Sequence, residues 1–152
     1  MGREARKMFY GEFAHSLDRK GRLIIPSKFR EALKEAYAEK LYITRGLDKC
    51  LFVFTEEEWK IQESKFRSIP FTKSEHRKFN RLFFSGAQDV LADKQGRILL
   101  SSYLKNYADI KKEVVFIGVS NRIEIWAKEL WEEFYSTSKE LYEEIAENLI
   151  NE

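Results

Sequence analysis

The chain has 152 residues, 43% hydrophobic and 14% aromatic, enough apolar matter for one packed domain or two small modules sharing a core, and too much for a disordered chain. Its net charge of +2 hides an asymmetry: residues 1–30 carry eight Lys/Arg against three Asp/Glu, whereas residues 127–152 carry two against eight. One cysteine, Cys50, excludes an internal disulfide framework and suits a reducing cytoplasm, and no apolar run nears the roughly 18 residues of a membrane span.

Residues 1–7 are polar and lack an apolar stretch, so no signal peptide is expected, and Met8-Phe9-Tyr10-Gly11 would itself make a beginning. Residues 9–17, with Phe9, Phe13 and Leu17 among polar neighbours, read as a strand. Asp18-Arg19-Lys20-Gly21 is a turn, because Asp bonds the backbone ahead of it and Gly accepts positive φ. A short β-branched strand, Arg22 to Ile25, follows, and Pro26-Ser27 opens a helix with Phe29, Ala32, Leu33, Ala36 and Tyr37 at helical spacing. Strands are expected at 41–44 and 50–54. Thr55-x-x-Glu58 has capping-box spacing for a helix carrying Trp59 and Phe66, and Thr72-x-x-Glu75 has it for a second helix through Phe79, Leu82 and Phe83.

Then the pattern restarts. A strand over 87–91, a turn at Asp93-Lys94-Gln95-Gly96 and a strand over 97–100 repeat the first hairpin, with Asp, Gly and Arg each 75 positions further on. Ser101-Ser102 is expected to cap a helix with Leu104 and Tyr107; strands at 114–119 and 122–126 and a helix from about Ala127 follow. Phe54 and Trp59 match Trp126 and Trp131 in type and spacing, so the whole unit is duplicated and not the hairpin alone. The tail from Tyr135 continues as helix or restarts at Thr137-x-x-Glu140. Four short strands cannot close a sizeable core alone, so the two copies are expected to pair strand edges and share one core with approximate twofold symmetry.

The hairpins carry the functional signal. Arg19, Lys20 and Arg22 fall within four positions, with Lys28 and Arg30 nearby, and a rigid hairpin presenting such residues suits DNA: Lys and Arg neutralise phosphates, and Arg reads guanine bidentately. Asp18 and Asp93 read as turn-formers that pair with the local Arg. His15 and His76 with one Cys assemble no zinc spacing, Cys50 reads as a packed residue, and neither turn has the spacing of a phosphate-cradling loop. No metal, cofactor or small-molecule substrate is therefore expected, and no enzyme. Trp131 and Phe134 read as core or as a subunit contact, and the Glu-rich tail as a solvated face or a contact for a basic surface of another subunit.

The paired Asp-x-x-Gly-Arg hairpins, the first continuing to Pro26 and Arg30, together with the opening Met8-Phe9-Tyr10-Gly11-Glu12, resemble the MraZ family over about residues 8–131. The resemblance implies an α+β fold of two SpoVT/AbrB-like swapped-hairpin modules sharing a pseudo-twofold β-barrel core, flanked by helices. The expected division is an N-terminal extension at 1–8, modules at 9–54 and 85–126, a helical connector at 55–84 and a C-terminal helix and tail at 127–152. It further implies a cytoplasmic, nucleoid-associated transcriptional regulator of the division and cell-wall gene cluster, which binds short repeated boxes in promoter DNA as a ring-shaped homo-oligomer. The implied DNA contacts are Arg22 and Lys20 first, then Arg19, with Arg97 and Lys94 from the second copy. That copy departs from the pattern at Gln95, Ser101 and Lys105, which makes its hairpin less basic and assigns it more to structure. The competing reading is an antitoxin-like protein-interaction scaffold without a specific operator.

Overall fold

The computed structural model describes residues 8–36 and 38–151; residues 1–7, Tyr37 and Glu152, with the readings made of them above, lie outside. The first half holds β1 (Phe9–Ser16), β2 (Arg22–Ile24), α1 (Ser27–Glu35), β3 (Lys40–Arg45) and β4 (Leu51–Thr55). Two helices follow, α2 (Glu56–Arg67) and α3 (Ser74–Ser85). The second half repeats the series as β5 (Gln88–Leu91), β6 (Arg97–Leu99), α4 (Ser102–Tyr107), β7 (Glu113–Ser120) and β8 (Ile123–Ala127). It ends with α5 (Lys128–Ser138), a 3-10 turn at Lys139–Leu141, and α6 (Tyr142–Ile150).

The expected element types recur, but three expected caps do not all form. The Thr55 hydroxyl accepts the Glu58 amide at 3.2 Å and so opens α2. Thr72 caps nothing: α3 begins one residue later, behind Lys73, with no side-chain cap. Ser101 occupies the N-cap place of α4 without capping it, and its hydroxyl oxygen is buried with no partner. At the tail, the Thr137 hydroxyl bonds back to the carbonyls of Glu133 and Phe134 in the last turn of α5, and the 3-10 turn, with right-handed helical backbone on both sides, joins it to α6.

Six strands form one antiparallel sheet in the order β1-β7-β8-β4-β3-β5, and β2 pairs with β6 in a separate two-stranded ribbon. The order reads the same from either end once each strand is exchanged for its counterpart in the other half. The register obeys the same exchange: Ser16 faces Glu113 as Leu91 faces Lys40. Leu23 faces its own counterpart Ile98 in the ribbon, and Phe52 faces its counterpart Glu124 where β4 meets β8. The pseudo-twofold axis therefore runs through those two pairs. Each half sends its first strand to the other half, β1 to β7 and β5 to β3, so neither half holds a complete sheet of its own.

The expected closed barrel is not formed. β1 and β5 remain the two edges of the sheet, and no pairing joins them. The three-residue β2 and β6 spend their hydrogen bonds on each other, extended by Ile25 N–H to Gly96 C=O (2.9 Å) and Leu100 N–H to Gly21 C=O (3.3 Å). They lie over the sheet without stitching its edges. The space between ribbon and sheet is the main core, in which Leu23, Ile25, Phe29 and Leu33 of the first half meet Ile98, Leu100 and Leu104 of the second, over Ile43, Leu51, Val114, Phe116 and Ile125. A smaller aromatic cluster, Phe54, Trp59 and Phe83 with Phe66 and Phe79 against it, fixes the α2–α3 hairpin to the sheet.

Candidate nucleic-acid interface

Each hairpin turn is built by its aspartate. Asp18 Oδ1 accepts the amides of Lys20 and Arg22, both at 2.9 Å, and Oδ2 accepts Arg22 Nε at 2.7 Å. Asp93 repeats this on Gln95 (3.0 Å), Arg97 (2.9 Å) and Arg97 Nε (2.7 Å). The backbone closes underneath, with Gly21 N–H to Asp18 C=O at 3.0 Å and Gly96 N–H to Asp93 C=O at 2.9 Å. In both aspartates the amide of the following Arg is the largest influence holding the carboxyl below its ordinary pKa, with the guanidinium and the second amide adding to it. Gly21 and Gly96 sit at φ +81° and +80°, which only glycine adopts without strain.

The arginine is thereby held in one place before any ligand arrives. Asp18 engages Nε, one of five guanidinium donors, and Arg22 remains half-buried at the rim of the ribbon. Arg97 is held alike, and its Nη2 also donates to Gln95 Oε1 at 3.2 Å. Lys20 and Arg19 stand exposed on the first turn, Lys94 on the second.

The ribbon brings the two turns to one face. Leu23 and Ile98 point into the core, so their neighbours Arg22, Ile24, Arg97 and Leu99 all point outward. Arg22 faces Leu99 across the ribbon and Arg97 faces Ile24. The two arginines are diagonal neighbours, roughly 7–8 Å apart in ordinary sheet geometry, and the two aliphatics fill the other diagonal. Ile24 is 42% and Leu99 56% exposed, on a protein whose other aliphatic strand residues are mostly buried. Reasoning along the chain missed these two; the signal was their shared offset, two positions after each Arg.

The helices add charge crosswise. Lys105 of α4, in the second half, brings Nζ to 3.1 Å from where a Cβ on Gly21 would stand, so it lies beside the first turn. Arg30 of α1, in the first half, packs along Gly96 in the second turn, its Nε on the Ile25 carbonyl at 2.9 Å. The first end of the ribbon thus carries Arg19, Lys20, Arg22 and Lys105, and the second carries Lys94, Arg97 and Arg30. The second hairpin is less basic than the first along the chain, and the crosswise helices add one cation to each end, so the second end stays one cation short in space.

The remaining titratable groups play other parts. His15 stacks edge-on against Phe116, and burial first, Arg30 second, lower its pKa, which keeps it neutral near pH 7. Burial pushes the Cys50 thiol pKa up, and it donates to the Leu47 carbonyl, so it packs as expected. Among the described residues no group of three or more His, Cys, Asp or Glu side chains could hold a metal ion, and no helix is long and apolar enough to cross a membrane.

A family model described as "MraZ protein, putative antitoxin-like" matches the chain twice, over residues 8–82 and 83–152. The chain belongs to the MraZ family. Each MraZ match contains one Asp-locked hairpin, and the duplication read from the two turns is the duplication of the family unit. The boundary between the MraZ units falls inside α3, one residue before Phe83, whose ring packs on Trp59 of the first unit at 5.6 Å.

Proposed function

We propose that this MraZ-family protein is a DNA-binding transcriptional regulator of the division and cell-wall gene cluster, and that the β2–β6 ribbon is its DNA-reading surface. The observation that carries the proposal is the single face on which two pre-positioned arginines meet two exposed aliphatics, with basic residues at both ends. The reciprocal exchange of β1 and β5 between halves supports reading the fold as the swapped-hairpin arrangement implied by the family resemblance. Arg22 and Arg97 reach base edges, where the guanidinium Nη atoms suit guanine O6 and N7. Ile24 and Leu99 lie against thymine methyls, and Lys20, Arg19, Lys94, Arg30 and Lys105 take phosphates. Because the Asp locks hold the arginines, little side-chain entropy is lost on binding. One ribbon is small, so several ribbons in a ring-shaped homo-oligomer, each on one of a series of short promoter boxes, supply affinity by avidity. Such a protein works in the cytoplasm, on the nucleoid.

The test is binding to labelled DNA from upstream of the protein's own gene, against shuffled DNA, over a salt series. We expect preference for the upstream DNA and steep loss with salt. Arg22→Ala should lose tenfold or more, roughly the 1–3 kcal/mol of one bidentate base contact, with Arg97→Ala following. Equal binding to shuffled DNA would reduce the ribbon to a non-specific basic patch. The words "antitoxin-like" in the family description favour one second reading, a protein-interaction scaffold. A folded protein that binds no DNA at low salt would move the assignment there.

A further inference from the structure

The two halves treat the helix after their last strand differently. In the first half α3 folds back over α2, and Trp59 is buried between Tyr42 and Phe83, stacked on both at 5.1 and 5.6 Å. In the second half α5 occupies the place of α2 and Trp131 that of Trp59, but no residue of α6, the helix that follows, is buried. Its sequence puts Tyr142, Ile145, Leu149 and Ile150 on one stripe, continued from Leu141. Tyr142 is 74%, Leu149 67% and Ile150 81% exposed, and Phe134 and Tyr135 of α5 are exposed beside Trp131. Contiguous exposed apolar surface of this kind marks an interaction site.

Charge identifies the occupant. The stripe is flanked by Glu143, Glu144 and Glu147, in a tail with eight Glu and two Lys. Residues 65–81 of the α2–α3 hairpin carry six Lys/Arg against one Glu, and their outer side shows Lys78 and Arg81 beside exposed Leu82, with Phe71 exposed at the turn before α3. The acidic-edged apolar stripe of α6 is thus complementary to a basic helix face on another copy, whose exposed Lys78 and Arg81 flank Leu82, with Phe71 as a second apolar contact at its start.

We infer that α6 of one copy docks on the outer face of α3 of the next copy. The two surfaces differ, so the contact is head-to-tail and repeats from copy to copy, closing into a ring if the rotation allows. The inference names the surfaces for the self-assembly part of the function proposed above and is independent of its DNA part.

The experiment is light scattering of the full chain without DNA, at tens of micromolar. The unsubstituted protein should give a multiple of the 18.1 kDa chain mass. Ile145→Asp, at an exposed position, should bring it to the mass of one chain, and Arg22→Ala should leave the assembly intact. Lys78→Glu with Arg81→Glu should raise the concentration for half-assembly tenfold or more, as should Glu144→Lys with Glu147→Lys. The chain carrying all four reversals should recover assembly. A monomeric unsubstituted protein overturns both the inference and the self-assembly reading. An oligomer that ignores Ile145→Asp or the α3 reversals overturns the inference alone; if only the tail substitutions disrupt it, the contact is tail-to-tail.

Discussion

Asp18 and Asp93 hold their turns with the same bonds to within 0.1 Å, yet Trp59 and Trp131, equally matched in sequence, meet different fates. Trp59 is sealed into an aromatic cluster. Trp131 meets Trp126 edge-to-face at 5.3 Å and stacks on Phe134 at 5.5 Å, donates Nε1 to Glu12 Oε2 at 3.1 Å, and keeps part of its ring in solvent. The hairpins lie near the pseudo-twofold axis, where each is the other's partner and a change in one is felt by both. The closing helices α2 and α5 are not paired with each other in this way, and among the described residues only α2 is covered by a second helix.

The largest effect should come from breaking that contrast. Trp59→Ala empties the centre of the aromatic cluster and should cost about 3–5 kcal/mol of unfolding free energy. Trp131→Ala, compared by denaturant unfolding at a dilution where the chains are separate, should cost well under half of that. Equal costs would mean that α5 is as firmly seated as α2.

A smaller effect sharpens the likeness of the halves at the start of α1 and α4. Pro26 has φ −52° and Ser101 φ −70°, so proline fits both places. Ser101→Pro removes a buried, unpartnered hydroxyl and stiffens the unfolded chain, and should raise stability by about 0.4–1 kcal/mol, read as a higher denaturant midpoint with unchanged slope. A loss instead would show that the pyrrolidine ring does not fit at the start of α4.

The smallest effect is a titration. The folded-state pKa values of Asp18 and Asp93 lie below their unfolded values. The turns' contribution to stability is then present above the ordinary carboxylate pKa and lost as pH falls through the lowered folded value. Carboxyl NMR should show both aspartates titrating low and nearly together, and Arg22→Ala should raise only the Asp18 value. Widely separated values would break the equivalence of the two locks.

The turns were legible because everything they need lies within five residues: an Asp to accept two amides, a Gly for positive φ, an Arg to return to the Asp. Helical and strand periods were legible for the same reason. The caps were less so: α3 starts behind Lys73 and not behind Thr72, and Ser101 stands at the N-cap of α4 but its side chain makes no cap bond. Of the candidate site, Arg19, Lys20, Arg22, Lys94 and Arg97 could be named from charge, and the ribbon placed the two arginines on one face. Ile24 and Leu99 could not be told from core strand residues, since exposure depends on what lies above them.

By itself, then, the sequence determined a duplicated unit, its hairpins and helices, and the family to which it belongs. Tertiary structure alone decided that β1 and β5 cross to the opposite half, that Arg30 and Lys105 serve each other's hairpins, that the sheet stays open under a ribbon, and that α6 is left uncovered by the other described residues. Local rules act through backbone dihedrals and bonds a few residues apart, whereas these outcomes depend on register between strands about 50 to 100 residues apart in the chain, where a slip of one residue would turn every side chain to the other face.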